Sequence, residues 1–94
     1  MNSRTTDEFW EYYGRLPESV CDTAKRNYEL WKRDHRHPSL HFKCVKEAVP
    51  QVFSIRVGRK YRALGLRENE GEQDVITWFW IGIHSEYDKL IENL

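Results

Sequence analysis

Apolar residues recur at helical spacing in the first third of the chain and at alternating spacing afterwards, so the pattern predicts two helices followed by a sheet. Phe9, Tyr12, Tyr13 and Leu16 share one face of a predicted helix over 7–16, with Thr5 and Glu8 at capping-box spacing and Gly14 weakening its end. Pro17 suits the first turn of a second helix over 17–34. Val20, Ala24, Tyr28 and Trp31 form its apolar stripe, flanked by Cys21 and Leu30. The two helices are expected to form an antiparallel pair. His35-Arg36-His37-Pro38-Ser39 then breaks the periodicity, because the residue before a proline is pushed out of the α region.

From Leu40 the period is two, and strands are expected over 40–45, 52–57, 61–67 and 75–83. The second and third form a hairpin around Gly58, with Phe53, Ile55 and Val57 inward and Ser54 and Arg56 outward. If Val57 pairs with Tyr61 across a three-residue loop, Arg56 faces Arg62. Like charges facing each other on a sheet are unfavourable, so the pair makes most sense with an anion between them. The last strand is apolar on both faces and is therefore expected to be central or helix-covered. Residues 68–73 read as an acidic, mobile loop, and 47–51 as a loop around Pro50. Residues 85–94 read as a short helix capped by Ser85, with Tyr87, Leu90, Ile91 and Leu94 on its apolar face. The fold class is α+β: an N-terminal antiparallel helical pair on a twisted antiparallel sheet of about four strands, closed by a short C-terminal helix.

A length of 94 residues bounds this to a single domain, 1–94. The N-terminus lacks an apolar leader, and the apolar stretch 75–83 is far short of the roughly 20 residues a spanning helix needs. A cytoplasmic protein with no membrane partner is expected. Cys21 and Cys44 have no CxxC spacing and no secretory context, which favours reduced thiols. The net charge of zero hides a strong segregation: residues 1–34 carry −1, residues 35–62 carry +6 and residues 63–94 carry −5. A nucleic acid or an acidic partner peptide is expected to meet the middle third.

Cleaving RNA without a metal needs a base for the 2′-hydroxyl, fixed cations for the phosphorus oxygens and an acid for the leaving oxygen. Arg56 and Arg62 fit the cationic role, since facing guanidinium groups can fork onto phosphate oxygens; the plainer alternative is a pair of solvated cations. His84 follows the last strand and is of the residue type that titrates near neutral pH, although a lone histidine before a helix is more often polar or capping. Lys43 and Lys46 alternate away from Phe42 and Val45 and extend the basic face, with His41 in the same parity as Lys43. Arg59 and Lys60 lie at the turn, as surface charge or RNA-backbone contacts. His35, His37 and His41 suggest a metal site, but the Pro38 break and the lack of an acidic or thiolate partner speak against one. No metal and no cofactor are expected. Trp78 and Trp80 form a stacking platform if exposed, and on a central strand the core reading is favoured.

Ser54-Ile55-Arg56-Val57-Gly58, then Tyr61-Arg62-Ala63-Leu64-Gly65, then Trp78-Phe79-Trp80-Ile81-Gly82 with His84 and Tyr87 beyond, form an ordered series. Together with Leu16-Pro17, Tyr28 and His37-Pro38-Ser39-Leu40-His41-Phe42-Lys43 upstream, it resembles the RelE/ParE superfamily of bacterial type II toxin-antitoxin toxins over most of the chain. The resemblance implies a growth-inhibiting toxin, an mRNA interferase cleaving ribosome-associated mRNA. In it Arg56 and Arg62 stabilise charge, His84 is general base or acid, Tyr87 or His41 assists, and His41, Lys43, Lys46, Arg59 and Lys60 contact RNA. Superfamily toxins often carry a basic residue after this histidine; here it is Ser85. Two rivals are a non-enzymatic ParE-like toxin that binds DNA gyrase and a degenerate member that only binds its antitoxin. The neutral overall charge favours the rivals, and the local +6 favours the nuclease. The implied partner is a cognate antitoxin, acidic and partly disordered, that folds as it binds.

Overall fold

A computed structural model describes all 94 residues. The chain runs β1 (Asn2–Thr5), α1 (Asp7–Tyr13), α2 (Glu18–Arg33), a 3-10 turn (Pro38–Leu40), β2 (Lys43–Lys46), β3 (Gln51–Val57), β4 (Tyr61–Glu70), β5 (Gln73–Ile83) and α3 (His84–Glu92). The sheet has five strands in the order β1-β5-β4-β3-β2, with β1 parallel to β5 and the remaining pairs antiparallel. The α+β class therefore holds, but the sheet is mixed and one strand larger than the hydrophobic pattern predicts. The extra strand, Asn2-Ser3-Arg4-Thr5, carries no apolar alternation, and its place is set by polar links to the rest of the molecule. Arg4 pairs with Glu70 at 3.0 Å, Thr5 Oγ1 accepts from Trp10 Nε1 at 2.8 Å, and the Thr6 N–H donates to the Trp78 carbonyl at 3.0 Å.

Thr6, one residue later than expected, caps α1: its hydroxyl accepts from the Phe9 N–H at 3.1 Å. Pro17 sits at the N-cap of α2 and makes no side-chain cap bond. The helices touch where the Tyr13 hydroxyl donates to the Cys21 carbonyl at 3.4 Å, but they do not pack along their lengths. Instead α1 lies on β5 and α2 on β3, and a groove of about 440 Å³ opens between them, lined by Phe9, Trp10 and Tyr13 from one and Ala24 and Tyr28 from the other. The break at Pro38 becomes a 3-10 turn that drives Leu40 into the core with no exposed surface. His41 then takes a left-handed conformation, φ 46°, so β2 starts later than predicted, at Lys43.

Both sheet faces are covered, which accounts for the doubly apolar β5. Phe9, Trp31, Ile55, Val57, Ile76 and Trp78 form the core under α1 and α2, while Val52, Leu64, Trp80 and Tyr87 form a second layer under α3. Trp78 and Trp80 are each 5% exposed, so they belong to the core and offer no stacking platform. Residues 68–73 are not a loop: β4 and β5 stay paired up to Glu70 and Gln73, leaving a two-residue turn in which Gly71 has φ 66°. α3 begins at His84, with Ile83 at its N-cap and no side-chain cap, so Ser85 lies inside the helix.

Candidate functional site

The β3–β4 register places Arg56 directly opposite Arg62. Each guanidinium makes only a local bond, Arg56 Nε to the Gly58 carbonyl at 3.2 Å and Arg62 Nη1 to the Tyr61 carbonyl at 2.8 Å. Neither has a carboxylate within 4.0 Å. Burial, and then the Arg56 charge, push the Arg62 guanidinium below its ordinary pKa, opposed by Tyr87 and Asp88. Arginine stays charged under such a shift, so two cations with unused donors face each other on the sheet. Asn27 Nδ2 donates to the Arg56 carbonyl at 3.0 Å and ties α2 to the strand at this point. Opposite Arg62 on β5 stands Gly82, where the Trp80 ring lies 2.5 Å from the position a Cβ would take. Only glycine leaves room for that ring beside Arg62.

α3 delivers the remaining groups. The His84 N–H donates to the Lys60 carbonyl at 2.7 Å, fixing the helix start to the β3–β4 turn. The His84 ring stacks on Tyr87 with centroids 5.5 Å apart and planes 20° apart. Its Nε2 lies 3.6 Å from Asp88 Oδ1. Tyr87 is 4% exposed and its hydroxyl bonds Ser54 Oγ at 3.2 Å. Ser54, expected to point outward, is 1% exposed because α3 covers that face.

Arg56, Arg62, His84 and Tyr87 thus gather around the start of α3. Lys43 and Lys46 stand on the edge strand β2, paired with Ser54 and Val52. Arg59 and Lys60 are exposed in the turn, and His41 is exposed at the entry to β2. The other histidines have structural partners: His37 Nδ1 accepts from the Ser39 N–H at 3.2 Å, and His35 packs edge-on against Phe42 at 5.9 Å. Cys21 and Cys44 are free. Three contributions to the site emerge only from the structure: Ser54 as the hydrogen-bond partner of Tyr87, Gly82 as the floor beside Arg62, and Asp88 beside His84. Asp88 carried a readable signal, standing four residues after His84 on a predicted helix.

No protein-family model matches the sequence, and no curated protein matches it. Solved structures do match. A YoeB/ParE toxin from Agrobacterium tumefaciens superposes with a TM-score of 0.65 at 15% identity, covering 89% of this chain and 99% of that one. An archaeal RelE-RelB complex from Pyrococcus horikoshii OT3 gives 0.66 at 10% identity, covering 87% and 92%. The E. coli RelE toxin gives 0.61 at 13% identity, covering 99% and 98%. The fold is that of the RelE/ParE toxins, along nearly the whole length of each.

Proposed function

We propose that this chain is the toxin of a type II toxin-antitoxin module, inhibiting growth by metal-independent cleavage of ribosome-associated mRNA. The observation that carries the reading is the facing pair Arg56 and Arg62, two cations without carboxylate partners, set beside His84 at the start of α3. In such a reaction O2′ attacks phosphorus as its proton leaves, and the P–O5′ bond breaks as O5′ gains a proton. In this reading His84 carries out one of these transfers, and the arginines stabilise the charge gathering on the phosphate. Lys43, Lys46, Arg59, Lys60 and His41 are the surrounding contacts for the RNA backbone. A cognate antitoxin is the protein partner.

A non-enzymatic reading, binding gyrase or only the antitoxin, draws support from Tyr87, whose buried hydroxyl is engaged by Ser54 and is poorly placed to move a proton. Induced expression with primer-extension mapping of mRNA ends separates the two. The nuclease reading expects growth arrest, relief by the antitoxin, and new mRNA ends. Arg62→Ala stays folded and loses about a hundredfold or more in cleavage rate, the usual cost of a preorganised charge stabiliser. His84→Gln lowers cleavage while ribosome association persists. Arrest without mRNA ends, equal in parent and His84→Gln, favours gyrase; normal colonies at high soluble expression overturn the toxin reading.

A further inference from the structure

His84, Tyr87 and Asp88 stand at i, i+3 and i+4 on α3, the spacing at which helix side chains are neighbours. Tyr87 is packed into the layer under α3 and is 4% exposed, so one face of the His84 ring rests on a buried side chain. The ring edge at Nε2 is turned toward Asp88 Oδ1 at 3.6 Å. We propose that Asp88 is the positioning residue of this site: its carboxylate holds the His84 imidazole against Tyr87 so that the ring meets bound RNA in one orientation. The proposal rests on the nuclease reading and deepens it.

Two observations separate this role from ornament. The pair adds little to folding: at 3.6 Å it is longer than a hydrogen bond, and its side chains are 45% and 54% exposed. Second, Asp88 is near enough to the facing arginines for its charge to act there. Its charge reaches Arg62, where it opposes the downward shift caused by burial and by Arg56. A carboxylate there repels the phosphate that the arginines attract, so it weakens RNA affinity. Its return is a fixed imidazole edge, and a group that harms binding while ordering the ring belongs to the chemical step. Glu86, on the same helix turn but without a hydrogen bond or ion pair to His84, supplies the control.

The test is single-turnover cleavage on ribosomes programmed with a defined mRNA. Asp88→Asn should lower the maximal rate roughly tenfold, part of the 10²–10⁴ that acid-base catalysis contributes. The half-saturating ribosome concentration should stay the same or fall, because a negative charge has been removed. Asp88→Glu should recover part of the rate, and Glu86→Gln should keep all of it. In a His84→Gln background Asp88→Asn should cost nothing further, the non-additivity expected of residues acting as one. A parental rate in Asp88→Asn, or the same loss with and without His84, overturns the proposal. If the parent chain cleaves nothing, the nuclease reading fails by itself. Asp88 is then tested through ¹³C relaxation of the His84 ring in the free protein, where a looser ring in Asp88→Asn supports the positioning role and an unchanged ring overturns it.

Discussion

The Tyr87 hydroxyl donates to Ser54 Oγ at 3.2 Å in a layer where the two residues are 4% and 1% exposed. Removing it leaves a buried serine without its partner and leaves the aromatic ring in place. Tyr87→Phe is therefore expected to cost about 1–2 kcal/mol in urea denaturation, on the scale of an orphaned buried polar group. Toxicity should persist, because the ring that supports His84 is unchanged. Loss of toxicity at unchanged stability would assign the hydroxyl a proton-transfer role instead. Arg62 works in the opposite sense. Its charge opposes that of Arg56 across the strands, so Arg62→Ala should melt at or slightly above the parent, by up to about 1 kcal/mol for a like-charge pair.

At the scale of elements, the two hairpins that share β4 differ in how far alternation predicts them. The register that sets Arg56 against Arg62 follows from the apolar positions Phe53, Ile55 and Val57 and from Gly58, whose φ of 65° forms the turn. The tip of the β4–β5 hairpin gives no such signal, since Glu68 to Gln73 is polar on both faces. It is held by a forked contact instead: Arg67 Nη2 reaches Asp74 Oδ2 at 2.6 Å and Nε reaches Oδ1 at 3.1 Å. β1 was illegible for the same reason, and α3 starts early because the Lys60 carbonyl accepts from the His84 N–H, a backbone bond that leaves no trace in residue types. The Asp74 carboxyl is held below its ordinary pKa, first by its hydrogen bonds from Arg67 and then by that charge. A depressed carboxyl contributes stability that is full above the unfolded pKa, near 3.8, and is lost as pH falls through the folded value. Asp74→Asn should therefore be less stable than the parent by about 1 kcal/mol at neutral pH, a modest figure because the pair is partly exposed. The two denaturation curves should converge as pH falls below the folded value of Asp74. A gap that persists there would assign the loss to packing.

Taken as a whole molecule, a chain of zero net charge still presents two electrical ends. Arg56, Arg59, Lys60 and Arg62 belong to β3, β4 and the turn at one end of the β3–β4 hairpin, with Lys43 on the neighbouring edge strand opposite Ser54. Glu68, Glu70 and Glu72 belong to the opposite tip, between β4 and β5. Such an arrangement attracts a polyanion to one surface without the general stickiness of a basic protein. Each single-strand phosphate contact contributes about −0.7 to the slope of log K against log salt. If Arg56 and Arg62 each hold one phosphate, an Arg56→Ala/Arg62→Ala variant should bind a fluorescent single-stranded RNA with a slope shallower by about 1.4. A Glu68→Gln/Glu72→Gln variant should leave that slope unchanged, because its charges lie at the far tip. Equal slopes in the parent and the double-arginine variant would place the RNA on another surface and leave the facing arginines without an anion to explain them.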